Sequence, residues 1–528
     1  MTIVEYTCQD GTSFPVSWVA PDYKEAAWAL NNSHLPKPEP PLMVALHQMA
    51  DAVCRRVFEE AKVEPLPIFT GWQWAQGFQY FRAGLPGPEA MQELVMGYDR
   101  MREQYGGNIG IWEKYCLPKT RASCEFLAAA PDDAPLAGIA EAAEYGFMET
   151  LLSANSLTGG FIIQAMLAPV YGAEAELKSF ELTQGGANAT LGVDQEIWNV
   201  AELVRRSEPL ERLFREFDGR ELLERFEKEP TAGEALTAFR NLIGRHSARA
   251  AGWSVMDLTW GEHPEAALAL VRNQVVNPTS SPTEATSASE QHRVAALTGV
   301  LSRVDPAMHE PLRALVAQME HYVEIREGRA YWQMINRGRL RGALLRQGER
   351  LREVGAIDNA EDVFFLLPDE VEHSSPGDLR SVVAERRKDW EYWSAKEPPV
   401  EIGTPMTGPG LLGGAVAPAD HDRQIRGMAA SRGTVTAKAR VLAGPEEGDR
   451  LGPGEVLVCQ MTTPAWTPLF SIAGAVVTET GAALSHPAIA AREYGIPCVV
   501  GARGAVSRIR DGQLIRVDGL AGTVELLD

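Results

Sequence analysis

Apolar positions recur three and four residues apart through most of residues 42–394, as in LMVALHQMADAVCRRVF, IWNVAELVRRSEPLERLFREF and LRALVAQMEHYVEI. That spacing places them on one face of a helix, and its repetition predicts a large, mainly α-helical region. Residues 1–41, with FPVSW and the proline-rich HLPKPEPP, hold few periodic positions and read as an irregular lead-in with no fold of its own. Between Glu397 and Ala417 the segment EPPVEIGTPMTGPGLLGGAVA is dense in Pro and Gly without a sustained period, the mark of a linker. Beyond it the period changes. VLVCQ, AGAVVTE, IPCVVG, LIRVD and TVELL are short β-rich runs between turn residues, and the helical PAIAAREY among them is stopped by Gly495. The expected organisation is multidomain: helical residues 1–396, a linker at 397–429, and a small α/β domain at 430–528.

The length of 528 residues favours two to four domains. A composition of 45% hydrophobic and 23% charged residues is that of a globular chain. A net charge of −21 argues against nucleic acid as a partner, because such binding draws on clustered Lys and Arg. The start, MTIVEYTCQDG, has no basic region followed by an apolar one, so no secretory leader is expected. No apolar run approaches the ~20 residues of a membrane helix, and the richest stretch, Leu151 to Tyr171, is broken by polar residues, a Gly pair and Pro. Cysteines at 8, 54, 116, 124, 459 and 498 form no CxxC pair, which favours reduced thiols over disulfides or a metal site and makes the cytoplasm the expected compartment.

The chemistry concentrates in TETGAALSHPAIAAREYGIPCVVG, residues 478–501. An apolar strand runs into a Gly/Ala turn, and His486 stands where a helix begins. Unpaired backbone N–H groups and the positive end of the helix dipole would hold a phosphoryl group on that imidazole. Neutral imidazole is a competent nucleophile near neutral pH, and an N–P bond passes its phosphoryl group onward. A lone histidine beside Pro487 is more often a helix-end residue, but the surrounding pattern reverses that reading.

The segment resembles the phosphohistidine swivelling domain of phosphoenolpyruvate synthase, pyruvate phosphate dikinase and rifampin phosphotransferase. The likeness continues through Gly433–Val441, Gly454–Val458, Thr463–Leu469 and Asp511–Gly519. It implies that His486 is the residue phosphorylated and that Thr478, Gly481, Ser485 and Arg492 support it. Two positions depart from the family pattern, Glu479 in place of Asp and Ala482 in place of Gly.

Three stretches of the helical region resemble the acceptor-binding part of rifampin phosphotransferase and of the phenol-phosphorylating relatives of phosphoenolpyruvate synthase. They are Gly244-Arg-His246-Ser with Asp257 to Pro264, Val323-Glu-Ile-Arg326-Glu327 through Arg341 to Asp362, and Trp28 to Pro41. Arg326 shares a helical face with Met319, Tyr322 and Val323 and so needs an anionic partner, either a structural carboxylate or the incoming phosphoryl group. Arg341, beside Met334 and Leu345, poses the same choice. His246 is a candidate base for the acceptor hydroxyl, against the commoner structural hydrogen bond. In the aromatic run from Gly71 to Phe81, Trp72, Trp74 and Phe78 are either core or the walls of a pocket for an aromatic acceptor.

No GxxxxGK[ST] loop occurs and nothing resembles an ATP-grasp domain or a phosphoenolpyruvate-binding barrel. The arrangement resembles the catalytic subunit of phenylphosphate synthase or hydroxyacetophenone dikinase. It implies ATP and Mg²⁺ bound on a separate ATP-grasp subunit, a small phenolic acceptor, and AMP and phosphate as by-products. No metal is expected on this chain. A rifamycin-type acceptor and a non-catalytic regulatory module with a swivelling domain are the alternatives.

Overall fold

The computed structural model describes residues 3–20, 22–31, 34–66, 71–83, 87–155, 159–185, 188–250, 252–277, 281–319, 321–373, 377–405, 423–481 and 485–527. Most of the expected linker, and Ala482, lie outside them. The chain forms two compact units, 1–156 with 252–258 and 332–415, and 157–251 with 259–331 and 416–528. No described helix is long and apolar enough to cross a membrane.

The first unit is built on helices such as Pro41–Met49, Asp51–Ala61 and Leu136–Asn155, with part of the 32-residue helix Tyr322–Glu353. The lead-in expected to be irregular is instead β-structure: strands Ile3–Thr7 and Ser13–Ser17 pair antiparallel, and Ala27–Leu30 lies between Phe78–Arg82 and Glu401–Gly403. The strands are too short for their alternation to show, and Pro15 hides one of them. Opposite Glu5 in a two-stranded ladder, its missing N–H is tolerated while Phe14 and Val16 turn inward. Trp72–Ala75 and Phe78–Arg82 form a hairpin turning at Gln76 and Gly77. Phe14, Trp28, Phe78, Tyr80 and Ile402 close one core over these strands.

The second unit joins helices to an eight-stranded sheet. Thr434–Val441, Val456–Cys459, Ala475–Thr478 and Cys498–Val500 run parallel at its centre. Antiparallel strands, Leu514–Asp518 and Thr523–Leu526 among them, flank these. The large helical region followed by a C-terminal α/β domain is therefore present. Compactness nonetheless groups the C-terminal residues with helices 157–331, where the sequence suggested a separate body from 430. One continuous apolar core explains this, because Val200, Phe239, Leu268 and Val271 of the helices pack with Leu457, Trp466, Phe470 and Ala491. Apolar periodicity marks a face as buried without telling which element covers it.

Candidate active site

Strand Ala475–Thr478 delivers the chain to the turn before His486. Thr478 is fully buried, its hydroxyl donating to the Thr480 carbonyl at 2.7 Å and its own carbonyl accepting from Ala502 N–H at 2.9 Å. Gly481 has φ +116°, and a Cβ there would come 2.8 Å from Ser485 Oγ, so the turn requires glycine. Ser485 takes the extended N-cap conformation, and His486 opens the helix that runs to Glu493. That helix ends before Gly495 at φ +68°, as expected. Glu479, the departure from Asp, accepts the Val506 N–H at 2.7 Å, so the longer carboxylate has a backbone partner.

His486 is buried and both ring nitrogens have neighbours. Nδ1 lies 3.1 Å from Glu327 Oε2, and Nε2 lies 3.2 Å from Thr467 Oγ1. The Phe470 ring meets the imidazole edge-on at 6.0 Å. Thr190 donates to the same Glu327 oxygen at 3.0 Å. Burial pushes the Glu327 carboxyl up, but the charge and hydrogen bond of His486, the Thr190 hydroxyl and the Arg326 charge outweigh it and hold the carboxyl below its ordinary value. An ionised Glu327 accepts from Nδ1–H and leaves the Nε2 lone pair as the nucleophile. The Thr467 hydroxyl also lies 2.9 Å from the Pro464 carbonyl, and its single proton serves one of the two at a time, so Nε2 is not permanently capped.

Arg492 anchors the far end of the helix, donating to the Ala430 carbonyl at 2.7 Å with its guanidinium 4.5 Å from the Phe180 ring centre. Glu493 accepts the Gly185 N–H at 2.8 Å, and Arg432 donates to Glu174 at 2.9 Å. These contacts hold the α/β residues on helices of the same unit.

The unit also holds Arg326 and His246. Arg326 is half-buried, and its charge acts on its sequence neighbour Glu327. His246 ends the helix Gly233–His246 with Nδ1 3.2 Å from the Tyr331 hydroxyl and Nε2 3.3 Å from Glu196 Oε2. Burial, then the Arg249 charge, lower its pKa despite Glu196. Arg341, Trp72, Trp74 and Phe78 belong instead to the first unit. Arg341 is buried, donating to the Val255 carbonyl at 2.6 Å and to Glu361, with Phe364 under its guanidinium. Phe78 is core beside Phe14, Trp72 is half-buried, and Trp74 is stacked on a histidine, His47.

The sequence assigned no role to Glu327, Thr190 or Thr467. Glu327 had a usable signal, since it follows Val323 by four and precedes Ala330 and Met334 by three and seven, a carboxylate on a buried apolar stripe. Buried Arg249, 4.9 Å from the Trp260 ring centre, and buried Asp194 were also not foreseen. Burial pushes the Asp194 carboxyl well up, with Glu327 adding to it and Arg249 opposing.

Two stretches of the chain are similar to known families. Residues 451–522 match the PEP-utilising enzyme mobile domain, and residues 149–327 match the rifampicin phosphotransferase fourth domain. Over those residues the chain is similar to the PEP-utilising enzymes that carry a mobile domain and to rifampicin phosphotransferases. It is 30% identical, over 69% of its length and 45% of the relative's, to the uncharacterized phosphotransferase YvkC of Bacillus subtilis. To a rifampicin phosphotransferase of Streptomyces sp. it is 32% identical over 64% of its length and 40% of the relative's, and to that of Bacillus subtilis 29% over 55% and 34%. The aligned part thus spans less than half of each of these relatives.

Proposed function

We propose that this chain is the phosphate-carrying and acceptor-binding subunit of an ATP-dependent dikinase. Nε2 of His486 takes a phosphoryl group that originates as the β-phosphate of ATP, and passes it to the hydroxyl of a small phenolic acceptor. The ATP and its Mg²⁺ are held by a separate ATP-grasp protein, and AMP and phosphate are released. The observation that carries this reading is the Glu327–His486 contact of 3.1 Å at Nδ1. It fixes the tautomer whose Nε2 is nucleophilic, and an ionised Glu327 stabilises the positive imidazole that N-phosphorylation creates. In transfer, the acceptor oxygen forms a bond to phosphorus, the N–P electron pair returns to Nε2, and the hydroxyl proton leaves to a base. A rifamycin hydroxyl is the second reading for the acceptor, favoured by the similarity to rifampicin phosphotransferases.

The test supplies the chain with an ATP-grasp protein, Mg²⁺ and ATP labelled at the β-phosphate. Label is expected first on His486 and then on phenol, with AMP accumulating. Transfer to a rifamycin but not to phenol would replace the acceptor. Labelling of His486 from ATP with no second protein present would overturn the split-subunit reading.

A further inference from the structure

The first unit contains a second histidine–carboxylate pair that the phosphocarrier chemistry does not use. His47, on helix Pro41–Met49, and Glu144, on helix Leu136–Asn155, are both buried, with Nδ1 3.3 Å from Oε2. The Trp74 ring lies against the imidazole, centres 5.1 Å apart and planes 26° apart. The Cys54 thiol is 3.5 Å from the other Glu144 oxygen. Arg337 is buried with its guanidinium 4.6 Å from the Phe147 ring centre, and its Nε has no partner among the described residues. Its charge acts on both Glu144 and Glu39. Glu39 is buried too, with Oε1 unpartnered among the described residues.

A core that needed only packing would not hold these groups. Each unpartnered buried polar atom costs on the order of 1–3 kcal/mol, and apolar side chains would fill the space at less cost. An imidazole fixed at Nδ1 by a carboxylate, an aromatic face beside it and a buried guanidinium are the parts for holding an aromatic hydroxyl, removing its proton and meeting a phosphoryl oxygen.

We propose that His47, oriented by Glu144, is the general base for the acceptor hydroxyl, with Trp74 as the wall against an aromatic ring and Arg337 as the partner of the phosphoryl oxygens. This rests on the phosphotransfer reading above and adds the acceptor site to it. The hydroxyl proton moves to Nε2 of His47 as the acceptor oxygen bonds to phosphorus and the N–P pair returns to His486. His47 then loses the proton to solvent. Burial, helped by the Arg337 charge, lowers the His47 pKa against the opposing pull of Glu144, so the imidazole is neutral and able to accept a proton near pH 7. The charged groups that act on it are Glu144 and Arg337, which interact in turn with Cys54, Asp51 and Glu39.

The full chain, phosphorylated at His486 with phosphoramidate, is mixed with phenol, and phosphohistidine and phenyl phosphate are measured in parallel across pH 5 to 8. The parent should transfer at a rate that rises with pH. His47→Gln should load normally, since the loading step draws on His486 and Glu327 and not on His47, but transfer about 10²- to 10⁴-fold more slowly with that pH dependence gone. His47→Gly should regain part of its rate with free imidazole, a rescue that a merely structural histidine would not show. If the parent transfers and His47→Gln keeps the same rate and profile, the base assignment is wrong while the phosphotransfer reading stands. If the loaded parent gives phosphate to neither phenol nor a rifamycin, the phosphotransfer reading fails and takes this inference with it.

Discussion

The two units each bury a histidine against a glutamate, and the pairs differ in how they are held. His47 and Glu144 come from two helices of the first unit, with Trp74 stacked on the ring. His486 and Glu327 come from a helix start in the mobile-domain match and from the helix Tyr322–Glu353, with Thr467 and Thr190 as small polar neighbours. In both pairs burial raises the carboxyl, and the histidine together with its other neighbours, Arg337 and Cys54 in one pair and Thr190 and Arg326 in the other, outweighs it, so both glutamates sit below their ordinary value. The same pairing thus serves a ring confined by aromatic packing and a ring whose other nitrogen faces one exchangeable hydroxyl. Only the second stands at a helix N-terminus suited to carrying phosphate.

The contrast predicts where substitutions act. His486→Ala should abolish the acid-labile phosphate adduct while leaving the fold intact, because the alanine loses a nucleophile at a helix end. An undiminished adduct by intact-protein mass spectrometry would end the proposal. Glu327→Gln should slow loading of His486 by about 10²- to 10⁴-fold, because a neutral amide neither fixes the tautomer nor balances the imidazolium. The matching Glu144→Gln should load His486 at the parent rate. Equal loading by all three proteins would make Glu327 structural.

Gly481→Ala attacks the support of the His486–Glu327 pair. At φ +116° with Ser485 Oγ 2.8 Å from the new methyl, the change should cost about 1–3 kcal/mol, read as a lower urea midpoint. An unchanged midpoint would show that the turn relaxes freely.

What the sequence made legible follows from the range of each signal. The helix opened by His486 lies within two dozen residues, so its preceding strand, His486 and the Gly495 stop could be placed from local pattern. Glu327 lies 159 residues from His486 in the chain. Nothing local joins them, and attention fell on the neighbouring Arg326. His246 was read as base or hydrogen-bonded residue, and its two contacts supply the structural half of that choice without deciding the chemical one. The N-terminal strands were missed because four or five residues around a proline give no period. Trp74 was read as core or pocket wall, and its stacking on His47 involves a residue hidden in the helical stripe LMVALHQM.

The smallest expected effects separate the groups around His47 by the sign of their pH dependence. Burial holds the Glu39 carboxyl up, at about 7, against the opposing Ser254 hydrogen bond and Arg337 charge. An unfolded glutamate titrates near ~4.3, so between those limits the folded state binds more protons. This contribution to stability is fully present below about pH 4.3 and is lost as pH rises toward 7. His47 runs the other way. Its pKa is lowered, chiefly by burial, so its contribution is fully present above the unfolded value of ~6.5 and is lost as pH falls. Glu39→Gln, measured against the parent by urea denaturation, should therefore gain relative stability from pH 5 to 8. His47→Gln should gain it from pH 7 down to 5. One proton limits each slope to about 1.4 kcal/mol per pH unit, and the opposed signs leave the parent's own profile shallow. Parallel curves for both variants and the parent would mean that neither group changes its proton affinity on folding, and the neutral imidazole required of a base at His47 would lose its support.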